Sequence, residues 1–195
     1  MTNQSVLMTA PGEIQIVEAP MPVRKEGEAL LELLYGGLCG SDLGAYRGTY
    51  AYAKYPNVPG HEFSAKVVEI GENEAGLRSG DIVTANPYFN CGTCYSCRRG
   101  LVNCCVDNQT MGVQRAGAYS RFITMPVERL YPCLLYTSTA GLDPVPCAAT
   151  RAGTGARTLQ TDRRASIGLC RLVRFRNGKR PRLAQFQDLF AELHG

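Results

Sequence analysis

"CGTCYSCRRGLVNCC", residues 91–105, holds five of the chain's nine cysteines in fifteen positions. Cys91, Cys94, Cys97 and Cys105 are spaced C-x2-C-x2-C-x7-C, which puts four thiolates of one loop within reach of a single tetrahedral ion. Soft sulfur donors select zinc or an iron–sulfur cluster over hard cations, and four thiolates with no open position make a structural rather than a catalytic site. The spacing lacks the usual ferredoxin pattern, so zinc fits better. Unligated core cysteines are the bland alternative, and four so close together would be an unusual accident of packing. Cys104 as fourth ligand would shorten the last spacer by one residue, so Cys105 is preferred with the exchange left open.

The rest of the composition agrees with metal rather than disulfides. The chain has 195 residues, 45% of them hydrophobic, enough for one core or for one domain with an appendage. The N-terminus has no basic region followed by an apolar run, and no window reaches the eighteen apolar residues of a membrane span; the expectation is a soluble, cytoplasmic protein without membrane contact. In a reducing compartment clustered cysteines bind metal or do redox chemistry, and an odd total of nine suits a disulfide framework poorly.

The net charge of +4 would suggest a nucleic-acid partner were it evenly spread. Residues 1–132 hold 11 Lys and Arg against 13 Asp and Glu, whereas residues 133–195 hold 10 against 4, which gives −2 and +6. The basic tail has no aromatic-interleaved or basic heptad pattern, which argues against nucleic acid. So abrupt a change marks a boundary near residue 132.

Upstream of that boundary the pattern is β-rich α+β. "VLMT" and "EIQIVEA" read as strands, "EALLELLYGGLC" as an apolar segment with a Gly-Gly break, and "EFSAKVVEIG" and "DIVTAN" as strands bounded by turn residues. One short helix is expected at "SDLGAY", capped by Ser41 or Asp42, and "AYSRFITMP" is a late strand stopped by Pro126. A second chemical constellation lies here: Cys39, His61 and Glu62 supply the thiolate, imidazole and carboxylate of a zinc site that keeps a position open. Alone, a His beside a Glu is more often a structural pair.

The order of motifs adds specificity. "GLCGSD" (37–42), "VPGHEF" (58–63), "GLRSGDIV" (76–83) and then residues 91–105 resemble the zinc-dependent medium-chain alcohol and polyol dehydrogenase family, over residues 1 to about 132. The resemblance implies a GroES-like β-barrel catalytic domain in which Cys39 and His61, with Glu62 as ligand or adjacent carboxylate, hold catalytic zinc. It implies that Ser41 relays the substrate proton, that Asp42 is a cap or a supporting partner, and that the cysteine loop is a structural-zinc lobe. Two zinc ions, a small alcohol or polyol substrate, and NAD(P) and a homo-oligomer in the full-length enzyme follow from the same resemblance. Tyr46, Tyr50 and Tyr52 suggest the polyol branch, acting on a secondary alcohol of a polyol or sugar acid. Threonine dehydrogenase is the rival within the class.

The tail departs from this pattern. "GTGART" (153–158) lacks a third glycine and a preceding apolar strand, and residues 133–195 are too few for a Rossmann domain, which is expected to be absent. "CLLYTS" (133–138) resembles adapter read-through, so the tail is expected to be a poorly ordered, non-family chimera or frameshift product, with one amphipathic helix over 182–193. On that basis the chain is a fragment expected to be inactive as it stands. Two readings from other classes stay open: a non-enzymatic zinc module with an Arg-rich nucleic-acid-binding tail, and a GroES-like structural protein.

Overall fold

The structure, a computed structural model, describes residues 2–133 and 171–174. Among the described residues the regular elements are ten strands, two short α-helices and two single turns of 3-10 helix. β1 (Asn3–Ala10) and β2 (Glu13–Ala19) form an antiparallel hairpin, turning at Pro11-Gly12 where Gly12 takes a φ of 78°. β3 (Glu28–Leu38) is followed by helix α1 (Gly40–Tyr46), then by β4 (Glu62–Ile70) and β5 (Ile82–Ala85). β6 (Tyr88–Phe89), α2 (Tyr95–Arg98) and β7 (Gln109–Thr110) form the cysteine-bearing excursion. β8 (Phe122–Pro126) and β9 (Leu130–Pro132) close the continuous segment, and β10 (Arg171–Arg174) comes from the tail.

The main sheet runs β10-β3-β4-β5-β9, with β8 also paired to β3 and every pairing antiparallel. Alternate residues of β3 (Ala29, Leu31, Leu33) and β4 (Phe63, Ala65, Val67) face one core with Val83, Met125 and Leu130, the inward half of a period-two pattern. A second cluster of Val6, Met8, Ile14, Leu38 and Tyr119 packs beneath α1. The hairpin is fixed to β8 by polar contacts: Ser120 donates to Ser5 at 2.7 Å, and the Asn3 side chain bonds both the N–H and the carbonyl of Phe122.

Three expectations are corrected. Gly36-Gly37 does not break the strand: β3 runs through both, because a Cβ at Gly36 would lie 2.8 Å from the ring of Tyr119, so the small residue makes room for the second core. Helix α1 is capped two to three residues earlier than expected. Its N-cap is Cys39, in extended backbone, while Asp42 at the third helical position reaches back to the Cys39 N–H. The tail is not wholly separate from the domain, because Arg171–Arg174 pairs with Leu38–Tyr35. β4 occupies one edge of β3, so β8 (opposite Glu28–Glu32) and β10 share successive lengths of the other. The expected helix over 182–193 lies outside the described residues.

Candidate metal centres

Sheet register assembles the first cluster. Gly37 of β3 pairs with Glu62 of β4, so the residue that follows β3 and the residue that precedes β4 emerge side by side. These are Cys39 and His61. One donor atom from each of Cys39, His61 and Glu62 lies within 4.8 Å of the others, and all three residues are half-buried. Ser41, in the first turn of α1, is also half-buried.

Asp42 supports this cluster from behind and is only 3% exposed. Its Oδ2 accepts the Cys39 N–H at 3.0 Å and its Oδ1 accepts the Gly60 N–H at 3.1 Å. Burial pushes its carboxyl above the usual range, opposed by the adjacent His61 and by the two N–H donors. The same Oδ1 stands 3.8 Å from Nδ1 of His61, a nitrogen that is buried and has no hydrogen bond among the described residues. A carboxylate on the Nδ1 side of a ring is how metal-binding imidazoles are commonly oriented. Thiolate, imidazole and carboxylate brought together, with a further carboxylate behind the imidazole, suit zinc with one position left open.

The second cluster is built by the excursion between β6 and β7. Tyr88 pairs with Thr110 and Phe89 with Gln109, which closes the base of a loop whose apolar side chains Tyr95, Leu101, Val102 and Val106 are exposed. Buried apolar area therefore holds little of this loop together. The sulfurs of Cys91, Cys94, Cys97 and Cys105 all lie within 4.8 Å of one another. Tetrahedral zinc–thiolate bonds of ~2.3 Å would set them about 3.8 Å apart, so a small contraction suffices. Cys104 is exposed and outside the cluster. Backbone N–H groups point at the sulfurs, from Cys94 to Cys91 at 3.4 Å and from Cys91 to Cys105 at 3.3 Å. Such donors, that of Cys94 first, lower the Cys91 thiol to about 6, while loss of solvent around its sulfur pushes Cys97 up to about 11. A thiol that coordinates a metal is deprotonated whatever its free value.

Some contributors have only faint sequence signals. Tyr119 is fully buried, donates its hydroxyl to the Gly37 carbonyl, and packs against Gly60, whose φ of 95° only glycine adopts readily. Of the three tyrosines that suggested a polyol site, Tyr50 lines a cavity beside Ser41, Tyr46 packs on the second core, and Tyr52 is largely exposed, edge-on to Tyr50. The same cavity takes in Lys54, which no motif distinguished.

Residues 25–134 match the family described as the alcohol dehydrogenase GroES-like domain. An uncharacterized zinc-type alcohol dehydrogenase-like protein of Haemophilus influenzae is 36% identical over 128 residues, covering 65% of this chain and 37% of its own length. The L-galactonate-5-dehydrogenase of Escherichia coli is 32% identical over 145 residues, 74% of this chain and 41% of the relative. Among solved structures, a zinc-binding dehydrogenase from Sinorhizobium meliloti bound to NADP superposes with a TM-score of 0.64 at 27% identity, over 74% of this chain and 41% of that one. The chain thus spans about two fifths of the length of the curated relatives it matches. No helix among the described residues is long and apolar enough to cross a membrane.

Proposed function

The chain belongs to the zinc-type alcohol dehydrogenase family through its GroES-like domain, and on that premise we propose that the whole protein oxidises a secondary alcohol of a polyol or sugar acid to a ketone, a nicotinamide nucleotide accepting the hydride. The observation that carries this reading is the gathering of Cys39, His61 and Glu62 donor atoms within 4.8 Å, with Ser41 two residues beyond Cys39 in the first turn of α1. Kinship with an L-galactonate-5-dehydrogenase supports the sugar-acid side of the substrate class.

Zinc held by Cys39, His61 and Glu62 would supply Lewis acidity to the substrate oxygen. Ser41 Oγ binds the reacting hydroxyl, takes its proton as the C–H hydride departs, and passes that proton to solvent. Asp42 holds Cys39 and the His61 loop in register, so the cluster needs little rearrangement to bind. In the same reading Cys91, Cys94, Cys97 and Cys105 hold a second zinc that braces the excursion and takes no part in the chemistry.

Cobalt substitution tests this. The chain should take up two equivalents, with thiolate-to-cobalt absorption from both centres. His61→Ala should lose one equivalent, and a polyol such as sorbitol should perturb only the bands lost in that variant. Uptake confined to the cysteine loop would overturn the reading.

A further inference from the structure

Arg129 holds the root of the cysteine loop from outside it. It ends the single 3-10 turn before β9, and its carbonyl accepts the N–H of Asn86, just past β5. Its side chain is 14% exposed, with the guanidinium carbon 4.6 Å from the centroid of the Phe89 ring in β6. One Nη donates to the Tyr88 carbonyl, and the other donates to Oδ1 of Asn90 at 3.3 Å. The run that leads into Cys91 is thus fastened at four of its residues by one arginine.

A guanidinium has only donors, so the Asn90 atom that faces it is the amide oxygen. The amide NH2 is thereby turned the other way, and Nδ2 lies 3.8 Å from Sγ of Cys97. The backbone donors to Cys91 and Cys105 come from the loop itself, whereas this one is aimed by a residue 39 positions further along the chain. Arg129 is also short of counter-charge. Its Nε is buried without a hydrogen bond among the described residues, and its ion-pair partner, Oε1 of Glu128, stands 3.7 Å away on a side chain that is 75% exposed. A carboxylate in solvent offsets little of a buried cation. Four thiolates around one divalent ion leave two negative charges in excess, the complement of such a cation.

We propose that Arg129 and Asn90 are positioning residues for the loop metal: Arg129 orients the Asn90 amide to donate to the metal-bound Cys97 thiolate, and its charge offsets part of the excess on the four-thiolate centre. This rests on the reading of Cys91, Cys94, Cys97 and Cys105 as a zinc site. Neither residue is a ligand. The hydrogen bond draws electron density from one sulfur, and Arg129 ties that sulfur to the end of the main sheet, so the ion is held longer than the loop alone would hold it.

Cobalt in the cysteine loop reads the sulfur directly. The parent for the test is His61→Ala, in which the loop is the one centre expected to fill. Asn90→Asp keeps the oxygen that faces Arg129 and replaces the NH2 donor with a second oxygen, and Arg129→Met removes the charge while keeping the aliphatic stem. Each should move the thiolate-to-cobalt band to longer wavelength, because a thiolate that loses a donor gives up an electron more easily. Each should also speed zinc release to a chelator about tenfold. Arg129→Lys, which keeps the charge and a donor, should fall between Arg129→Met and the parent. Hydrogen exchange of β3 and β4 checks that the variants are folded. A band that stays in place in either Asn90→Asp or Arg129→Met would overturn the inference alone, even with faster zinc release, since a merely structural role would speed release without moving the band. Zinc release no faster than the parent's in both variants would overturn it as well. A parent with no thiolate-to-cobalt band would overturn the zinc reading and the inference together.

Discussion

Oδ1 of Asp42 accepts the backbone N–H of Gly60 at 3.1 Å, tying the first turn of α1 to the residue before His61. Its partner oxygen accepts the Cys39 N–H, so one buried carboxylate spaces two candidate ligands that are far apart in sequence. In Asp42→Asn the amide has a single acceptor oxygen, and its NH2 would face a backbone donor. The variant should lose about 1–3 kcal/mol of stability in denaturant titration. Metal affinity at Cys39 and His61 should fall about 10- to 100-fold in chelator competition, while the cysteine-loop metal is retained.

The cysteine loop should depend on metal for its order, since its apolar side chains are largely exposed. Structural zinc supplies about 10 kcal/mol or more of apparent binding energy in small peptides. Cys94→Ser should therefore release one zinc and strip hydrogen-exchange protection from residues 91–105, leaving that of β3 and β4 intact. Cys104→Ser should change neither. An unchanged metal content in Cys94→Ser would remove Cys94 from the ligand set.

Once a chelator has stripped the metal, the cysteine loop should titrate in two widely separated steps. The folded Cys91 thiol lies at about 6 against an ordinary 9.0, first through the Cys94 N–H, so the folded form favours its thiolate. That contribution to stability is fully present above the unfolded value and disappears as pH falls through about 6. Alkylation of Cys91 by iodoacetamide should accordingly reach half its maximal rate near pH 6, whereas Cys97, held at about 11, should stay unreactive through neutral pH. Zinc should protect both. Mass spectrometry of the alkylated peptides reads the order directly.

Tyr119 and Gly60 give a stability ranking. Gly60→Ala adds a Cβ at a φ of 95° and drives it into the Tyr119 ring, which should cost at least about 1–3 kcal/mol. Tyr119→Phe keeps the ring, removes the hydroxyl with its bond to the Gly37 carbonyl, and should cost about 1 kcal/mol. Urea unfolding that places Tyr119→Phe as the more damaging change would contradict the close packing of Gly60 on the Tyr119 ring.

Strand β10 can be tested through its partner. Val173 sits opposite Gly36 in the antiparallel register, and proline there removes a backbone donor. Val173→Pro should raise amide exchange along Tyr35–Leu38 and leave Glu28–Glu32, covered by β8, unchanged. Equal exchange in both proteins would mean that β10 adds nothing to the edge of β3.

The sequence by itself marked the residues of both candidate clusters. Ligand type and spacing suffice for Cys91, Cys94, Cys97 and Cys105, because they lie on one short loop and local chain geometry bounds how far apart they can be. Alternation of apolar residues likewise made β1, β2, β4, β5 and β8 legible, since a half-buried strand must place every second side chain inward. What the tertiary structure decided was every relationship that depends on partners remote in sequence. Gly36-Gly37 reads locally as a break, yet it is strand because Tyr119, fixed from β8's side of the sheet, needs the space that a Cβ would fill. The two-armed role of Asp42 is of the same kind. Each depends on which groups the tertiary fold brings together, and no spacing along one chain records that.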